Sequence, residues 1–291
     1  METSELLKRV RKIEIKSRGL TNQIFSGQYH SAFKGRGMAF SEVREYNYGD
    51  DIRSIDWNVT ARFSHPYVKI FEEERELTVM LLIDVSGSNN FGTQQQLKTE
   101  KIIEIAAVLA FSAIQNNDKV GVIFFSDRIE KFIPPKKGTS HILRIIRELV
   151  DFKPESNLTK LSEPLRFLTN AIKKRCTAFL LTDFMDINFS DAIKIASRKH
   201  DLVGIRIIDK RETEMPSVGL LRLRDFENNK IFWVDTSSEE FRKTHKYRWQ
   251  QHEKRLQGIF LKSRMDVAVI NTNEDFIKPL IKLFKKRGSR L

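Results

Sequence analysis

The sequence predicts an α/β protein built on a doubly wound, mostly parallel sheet, with a β-rich subdomain on its N-terminal side. Two observations carry that expectation. Short apolar runs without clean alternation, Leu77–Ile83 the strongest of them, read as strands buried on both faces, and helical patterns separate them. From Gly27 to Arg75, by contrast, glycines, aromatic residues and paired opposite charges crowd together without a long helical period, so that stretch reads as short strands and turns. Residues 1–76 are therefore expected to form an N-terminal helix and β-rich subdomain, and residues 77–291 the sheet domain.

Composition narrows the class. A chain of 291 residues, 40% hydrophobic and 31% charged, can bury one large core with a substantial appendage and is expected to be globular and soluble. The single cysteine, Cys176, excludes an internal disulfide framework and a multi-cysteine zinc site, and fits a reducing compartment. It opens the apolar run Cys-Thr-Ala-Phe-Leu-Leu, so it reads as a buried, inert thiol. The first twenty residues mix acids and bases, and the longest apolar candidate, Ile102–Ile114, is short and carries Glu104. Neither a signal peptide nor a membrane span is expected, and the expected location is cytoplasmic. The net charge of +13 concentrates late in the chain, where residues 184–291 hold 23 Lys and Arg against 15 Asp and Glu. A basic face there would suit an acidic protein, anionic lipid or nucleic acid.

Taken in order, Glu5–Ile15 places Leu6, Leu7, Val10 and Ile13 on one face of an amphipathic helix. Within the β-rich stretch Asp50, Asp51 and Asp56 stand close to Arg44, Arg53 and Arg62, and arginines so near keep carboxylates ionised, so an ion-pair network is expected rather than an acid–base pair. Gly35-Arg-Gly37 lacks the third glycine and the strand-to-helix context of a dinucleotide loop. The central strand ends at Asp84, Ser86 and Ser88 follow, and a Gly and Asn cluster turns the chain into a helix from about Gln95 to Gln115. Lys119–Phe125 is the second strand, and Arg128–Pro134 an edge strand stopped by two prolines. Lys136-Lys-Gly-Thr-Ser140 has the wrong order for a phosphate loop and reads as a helix start capped by Thr139 or Ser140, the helix running to about Val150. A polar loop, Lys153–Thr159, leads to a helix over Leu161–Lys174 and to a buried strand, Cys176–Thr182, which Asp183 ends as Asp84 ends the first. The alternation continues with a helix over Ser190–Lys199, a strand over Leu202–Ile208 and a hairpin over Leu220–Asp235 turning at Glu227-Asn-Asn-Lys230. A helix capped by Ser237-x-x-Glu240 turns Phe241, His245, Trp249, His252 and Leu256 inward; a strand over Asp266–Ile270 and a helix over Asp275–Lys286 close the chain.

Asp84, Ser86, Ser88, Thr159 and Asp183 thus fall on three loops that a doubly wound sheet brings to its carboxyl edge, where such sheets place their ligands. Carboxylates and hydroxyls are hard oxygen donors suited to Mg2+, Mn2+ or Ca2+. Asp84-Val-Ser86-Gly-Ser88, Thr159 and Asp183 resemble the metal-ion-dependent adhesion site (MIDAS) of von Willebrand factor A domains. The upstream run Gly-Arg-Gly-Met-Ala-Phe, Arg44-Glu-Tyr46, Gly49-Asp-Asp-Ile-Arg53, Asp56-Trp57 and Ala61-Arg62 resembles the bacterial domain-of-unknown-function family fifty-eight, and the two likenesses together cover nearly the whole chain. The resemblance implies that Ser86, Ser88 and Thr159 contact a divalent ion directly, that Asp84 and Asp183 hold it partly through water, and that a partner's acidic side chain completes the octahedron. It also implies a non-enzymatic adaptor working with a MoxR-type AAA+ ATPase or its client in protein assembly or maturation, without a small-molecule substrate. Two features depart from the pattern: Asn89 stands where relatives commonly carry Met, and the Thr159 loop reads Ser-Asn-Leu-Thr where Gly-Gly-Thr is common.

Two other functions compete. A metal-assisted hydrolase would activate water at the same site, but six scattered histidines include no His-Glu-x-x-His and no carboxylate-rich cage accompanies them. Nucleic-acid binding through the basic last third would weaken steeply with salt, yet the sequence supplies no recognition module.

Overall fold

The computed structural model describes residues 3–21, 38–73, 77–90, 97–225 and 230–289. The Gly35-Arg-Gly37 segment, the turn cluster after Asn90 with the expected helix start at Gln95, and most of the hairpin turn at 227–230 lie outside these residues. The first helix, α1, covers Thr3–Leu20. It is followed by β1 (Met38–Glu45), α2 (Trp57–Phe63) and β2 (Tyr67–Glu73). Then come β3 (Thr78–Asp84), α3 (Lys98–Gln115), β4 (Lys119–Phe125), β5 (Ile129–Lys136) and α4 (Thr139–Val150). The remaining elements are α5 (Ser162–Ala171), β6 (Thr177–Thr182), α6 (Ser190–Lys199), β7 (Asp201–Ile208), α7 (Lys210–Thr213), β8 (Leu220–Arg224), β9 (Ile231–Asp235), α8 (Glu239–Ser263), β10 (Asp266–Asn271) and α9 (Ile277–Gly288).

By contact, the chain divides into two compact units, with the described residues from 38 to 77 in the smaller and all others in the larger. The expected boundary at residue 76 groups α1 with the β-rich stretch, whereas its contacts lie with α3 and α4. Val10 is buried, Lys16 Nζ meets Glu104 at 2.8 Å and the Arg18 guanidinium stands 5.5 Å over the Phe111 ring, so α1 finishes the outer face of the larger unit.

In the smaller unit β1 and β2 pair antiparallel from Met38↔Glu73 to Glu45↔Tyr67, with an irregularity between Phe40 and Glu42. The acidic residues between them serve mostly as caps, a correction to the ion-pair expectation. Among the described residues Asp50 pairs with an expected arginine, its two oxygens accepting from Arg44 at 2.7 and 2.8 Å, which holds its carboxyl below the usual range, while Asp56 meets Lys69 Nζ at 3.4 Å instead. Asp51 accepts from Arg53 N at the start of a short 3-10 turn, and Asp56 caps α2 by accepting from Asn58 N and Val59 N. The physical reason is local: an Asp one residue ahead of a helical turn satisfies amides that have no carbonyl partner.

The larger unit is a six-stranded sheet in the order β10-β7-β6-β3-β4-β5, parallel throughout except for β5 against β4. β3 lies between β6 and β4 and is buried from Val79 onward, as a strand covered by helices on both faces should be. Helices α5 and α6 pack together on one side, their Leu165, Leu168, Ile193 and Ala196 joining Met80, Leu82, Ala178 and Leu180 of the strands in one core. On another flank α3 buries Ile102, Ile105, Ala106 and Leu109.

Several boundaries differ from expectation. β5 does not stop at its prolines; it runs through Pro134 and Pro135 to Lys136, because an edge strand needs a ladder on one side only. The pairing slips between Val120 and Val122, where Gly121 brings its backbone close to Pro135. The cap of α4 is Gly138, at φ +100, with no side-chain hydrogen bond from Thr139 or Ser140. α5 ends at Ala171 because Ile172 is already extended. The cap of α8 is Ser238, one residue later than expected, since Ser237 is held by Asp235. The inward stripe of α8 is as expected in direction: Leu256 is fully buried, Phe241, His245, Trp249 and His252 are half-buried, and Lys243, Lys246, Lys254 and Arg255 face solvent.

Candidate functional site

The chain leaves β3 toward β4 on one side and reaches β6 on the other, so the carboxyl ends of β3 and β6 flank the point where strand order reverses. That crevice is where an open α/β sheet holds a ligand. Asp84 closes β3 and Asp183 follows β6 directly; they are 2% and 1% exposed. A short 3-10 turn, Gly87–Asn90, carries Ser88, and Ser86 and Ser88 place their hydroxyls 3.1 Å apart. The third loop is tied to this one by Gly87 N donating to Asn157 O at 3.0 Å, two residues before Thr159. It is also tied to the end of β4, with Lys160 N donating to Ser126 O at 3.1 Å. The three loops of the expected site therefore stand at one sheet edge.

Each carboxylate is fixed by the backbone around it. Asp84 Oδ1 accepts from Ser86 N at 3.0 Å and its Oδ2 from the Thr182 hydroxyl at 2.6 Å, while Asn89 Nδ2 donates to the Asp84 carbonyl at 3.1 Å. Asp183 Oδ1 accepts from Met185 N at 3.1 Å, and its carbonyl accepts from Arg206 Nε at 3.0 Å. Burial, and then the Asp183 charge, push the Asp84 carboxyl up to about 6 against the pull of its hydrogen bonds. A neighbouring carboxylate raises the cost of ionising Asp84, and a cation bound beside it would lower that cost.

Thr159 Oγ1 is buried without a hydrogen-bond partner. A solvent-shielded hydroxyl ordinarily has a partner, and a bound cation would supply one, so the residues present fit a divalent ion held by oxygen donors. Among the described residues no three His, Cys, Asp or Glu side chains gather into a metal cage. An ion here would rest on two carboxylates and neutral hydroxyls, a set that suits Mg2+ or Mn2+ better than zinc.

Sequence reasoning missed one residue at this place. Lys98, the first residue of α3, is fully buried, and its Nζ donates to Asp183 Oδ2 at 3.2 Å and to Glu212 Oε1 at 2.5 Å. Burial alone would lower its pKa, but Asp183 and Glu212 outweigh that and hold it above the ordinary value. Glu212 is itself held by the capping box of α7, its Oε2 accepting from Asp209 N at 3.0 Å. A pattern signal existed: Lys98 shares a helical face with Ile102, Ile105 and Leu109.

The family model described as "Protein of unknown function DUF58" matches residues 42–255. The chain belongs to the DUF58 family. Its DUF58 match takes in both compact units. The uncharacterized protein Rv1480 of Mycobacterium tuberculosis is 26% identical over 234 residues, 79% of this chain and 74% of that one. BatB from Bacteroides thetaiotaomicron superimposes with a TM-score of 0.50 at 16% identity, covering 73% of this chain and 99% of the other. An aerotolerance-related membrane protein from Bacteroides fragilis does so at 0.51 and 16%, covering 74% and 100%. These likenesses concern fold: this DUF58 chain is an α/β protein with a mostly parallel six-stranded sheet. Among its described residues no helix is long and apolar enough to cross a membrane.

Proposed function

We propose that this DUF58 protein is a protein-interaction module that grips an acidic side chain of its partner through a divalent ion held by Asp84, Ser86, Ser88, Thr159 and Asp183. The observation that carries the reading is the Thr159 hydroxyl, buried and unpartnered on a loop hydrogen-bonded to the Ser86–Ser88 loop. When bound, the ion supplies a positive centre with an open position for a carboxylate. The chain's own residues do the rest: Ser86 and Ser88 offer adjacent hydroxyls, and the amides of Ser86 and Met185 fix the two carboxylates.

The surroundings favour a macromolecular partner. Two of the loops carry a large apolar side chain in solvent beside a site residue: Leu158 next to Thr159 and Met185 two residues after Asp183. Apolar groups around a polar centre are the usual make-up of a protein-binding patch. The partner we propose is a MoxR-type AAA+ ATPase or its client, on the strength of the family resemblance, with the chain acting as an adaptor rather than an enzyme.

Immobilised protein exposed to native lysate in Mg2+ and in chelator tests this. Wild type is expected to retain an ATPase or another specific protein in Mg2+ only, and the Ser86→Ala, Ser88→Ala double variant to lose it. Equal retention in all lanes would sink the metal-bridged reading.

A further inference from the structure

The buried charges around the site do not cancel. Asp183 and Glu212 both meet the Lys98 ammonium, while Arg206, a second buried cation, gives its Nη1 to Glu253 at 2.5 Å. Lys98 is an unusual choice for this place. A lysine with no exposed surface is costly unless paired, and an apolar side chain would fill the same volume without that cost. It is aimed at Asp183, a carboxylate of the proposed ion site, and 3.2 Å leaves no room for intervening solvent. Glu212 approaches the same ammonium more closely, at 2.5 Å, from α7 beyond the end of β7.

We propose that Lys98 is a built-in cation that weakens divalent-ion binding at Asp183, and that Glu212 sets how strongly it does so by drawing the ammonium away. This deepens the reading of the site as a divalent-ion centre and rests on it. The ammonium and a divalent ion sharing one carboxylate in a water-poor crevice repel each other, and low local dielectric makes that repulsion large. Each therefore lowers the affinity of the other for Asp183. Glu212 offers the ammonium a second anion, fixed by the Asp209 amide, and so relieves the repulsion when an ion arrives. The site is then tuned to intermediate affinity rather than saturated, and changes on α7 reach it through a buried ion pair. Lys98 and Glu212 are positioning residues in this scheme, acting on the ion through Asp183.

A purely structural role predicts the opposite sign. If Lys98 only held Asp183 in place, removing it would misplace a ligand and weaken binding. Titration calorimetry with Mn2+ on the full chain separates the two, using wild type, Lys98→Met, Glu212→Gln, Asp84→Asn and the double variant Lys98→Met with Glu212→Gln, which keeps the net charge of the chain and frees Asp183 Oδ2. Circular dichroism melts confirm that each is folded. We expect the double variant to bind Mn2+ at least about tenfold more tightly than wild type, and Glu212→Gln to bind more weakly, its ammonium now wholly on Asp183. Unchanged or weaker binding by the folded double variant, with binding still lost in Asp84→Asn, overturns the role of Lys98 alone. No binding in any protein, or binding that survives Asp84→Asn, overturns the ion-site reading and this proposal with it.

Discussion

His200 is 1% exposed, with Nδ1 3.2 Å from Cys176 Sγ. Burial, then the charges of Lys199 and Arg175, bring its pKa down to about 4 from an ordinary 6.5. An unfolded chain therefore takes up this proton first, and the stability that His200 contributes is complete above pH 6.5 and drains away as pH falls toward 4. Urea midpoints of wild type should drop across that window by the equivalent of up to about 3 kcal/mol, and His200→Leu should lack that part of the slope. Asp84 has the reverse sign. Its folded pKa of about 6 lies above the ordinary 3.8, so at neutral pH its ionised form works against the fold. In chelator Asp84→Asn should melt higher than wild type, by about 2–4 °C for each kcal/mol relieved, and should lose any rise in Tm that Mg2+ gives wild type. A lower melting temperature for Asp84→Asn in chelator would mean that its hydrogen bonds to Ser86 and Thr182 matter more than its charge. Asp84 and Asp183 were legible because each closes an apolar run. Lys98 was legible only as a lysine on the apolar face of its helix; its role was not, because the glutamate that meets it stands 114 positions later.

At the scale of elements, the strands were the most legible part of the chain. Val79–Ile83, Val120–Phe125 and Ala178–Leu181 are apolar on both faces, and all are buried. Helix ends were less so, because the amide that a cap satisfies is chosen by tertiary approach: Ser238 rather than Ser237 caps α8, and a glycine caps α4. The path of β5 through two prolines depends on Gly121 in β4, where an added Cβ would lie 2.7 Å from Met80 Sδ and 2.9 Å from Pro135 N. Gly121→Ala should destabilise by about 1–3 kcal/mol, the usual range for overpacking. Met80→Ala should restore none of it, since it empties the core beside Leu82 and Ala178 while Pro135, a backbone contact, stays in place. A denaturation series on Gly121→Ala, Met80→Ala and the variant carrying both checks this, and a neutral Gly121→Ala would show that β4 and β5 can separate at little cost.

For the whole molecule, the sequence led to the right architecture because five apolar runs alternate with helices and return to one sheet. It misgrouped α1, whose short apolar face names no partner until α3 and α4 are placed. The two margins of the finished sheet differ chemically. At β10 the strand presents a regular parallel ladder and half-exposed Val269. At β5, Pro134 and Pro135 bring carbonyls but no amide hydrogens, in a strand whose register has already slipped. Successive amides of a strand point to opposite sides, so one of the two prolines leaves a gap in the donors of the free margin, and a second copy laid against it would lack that hydrogen bond.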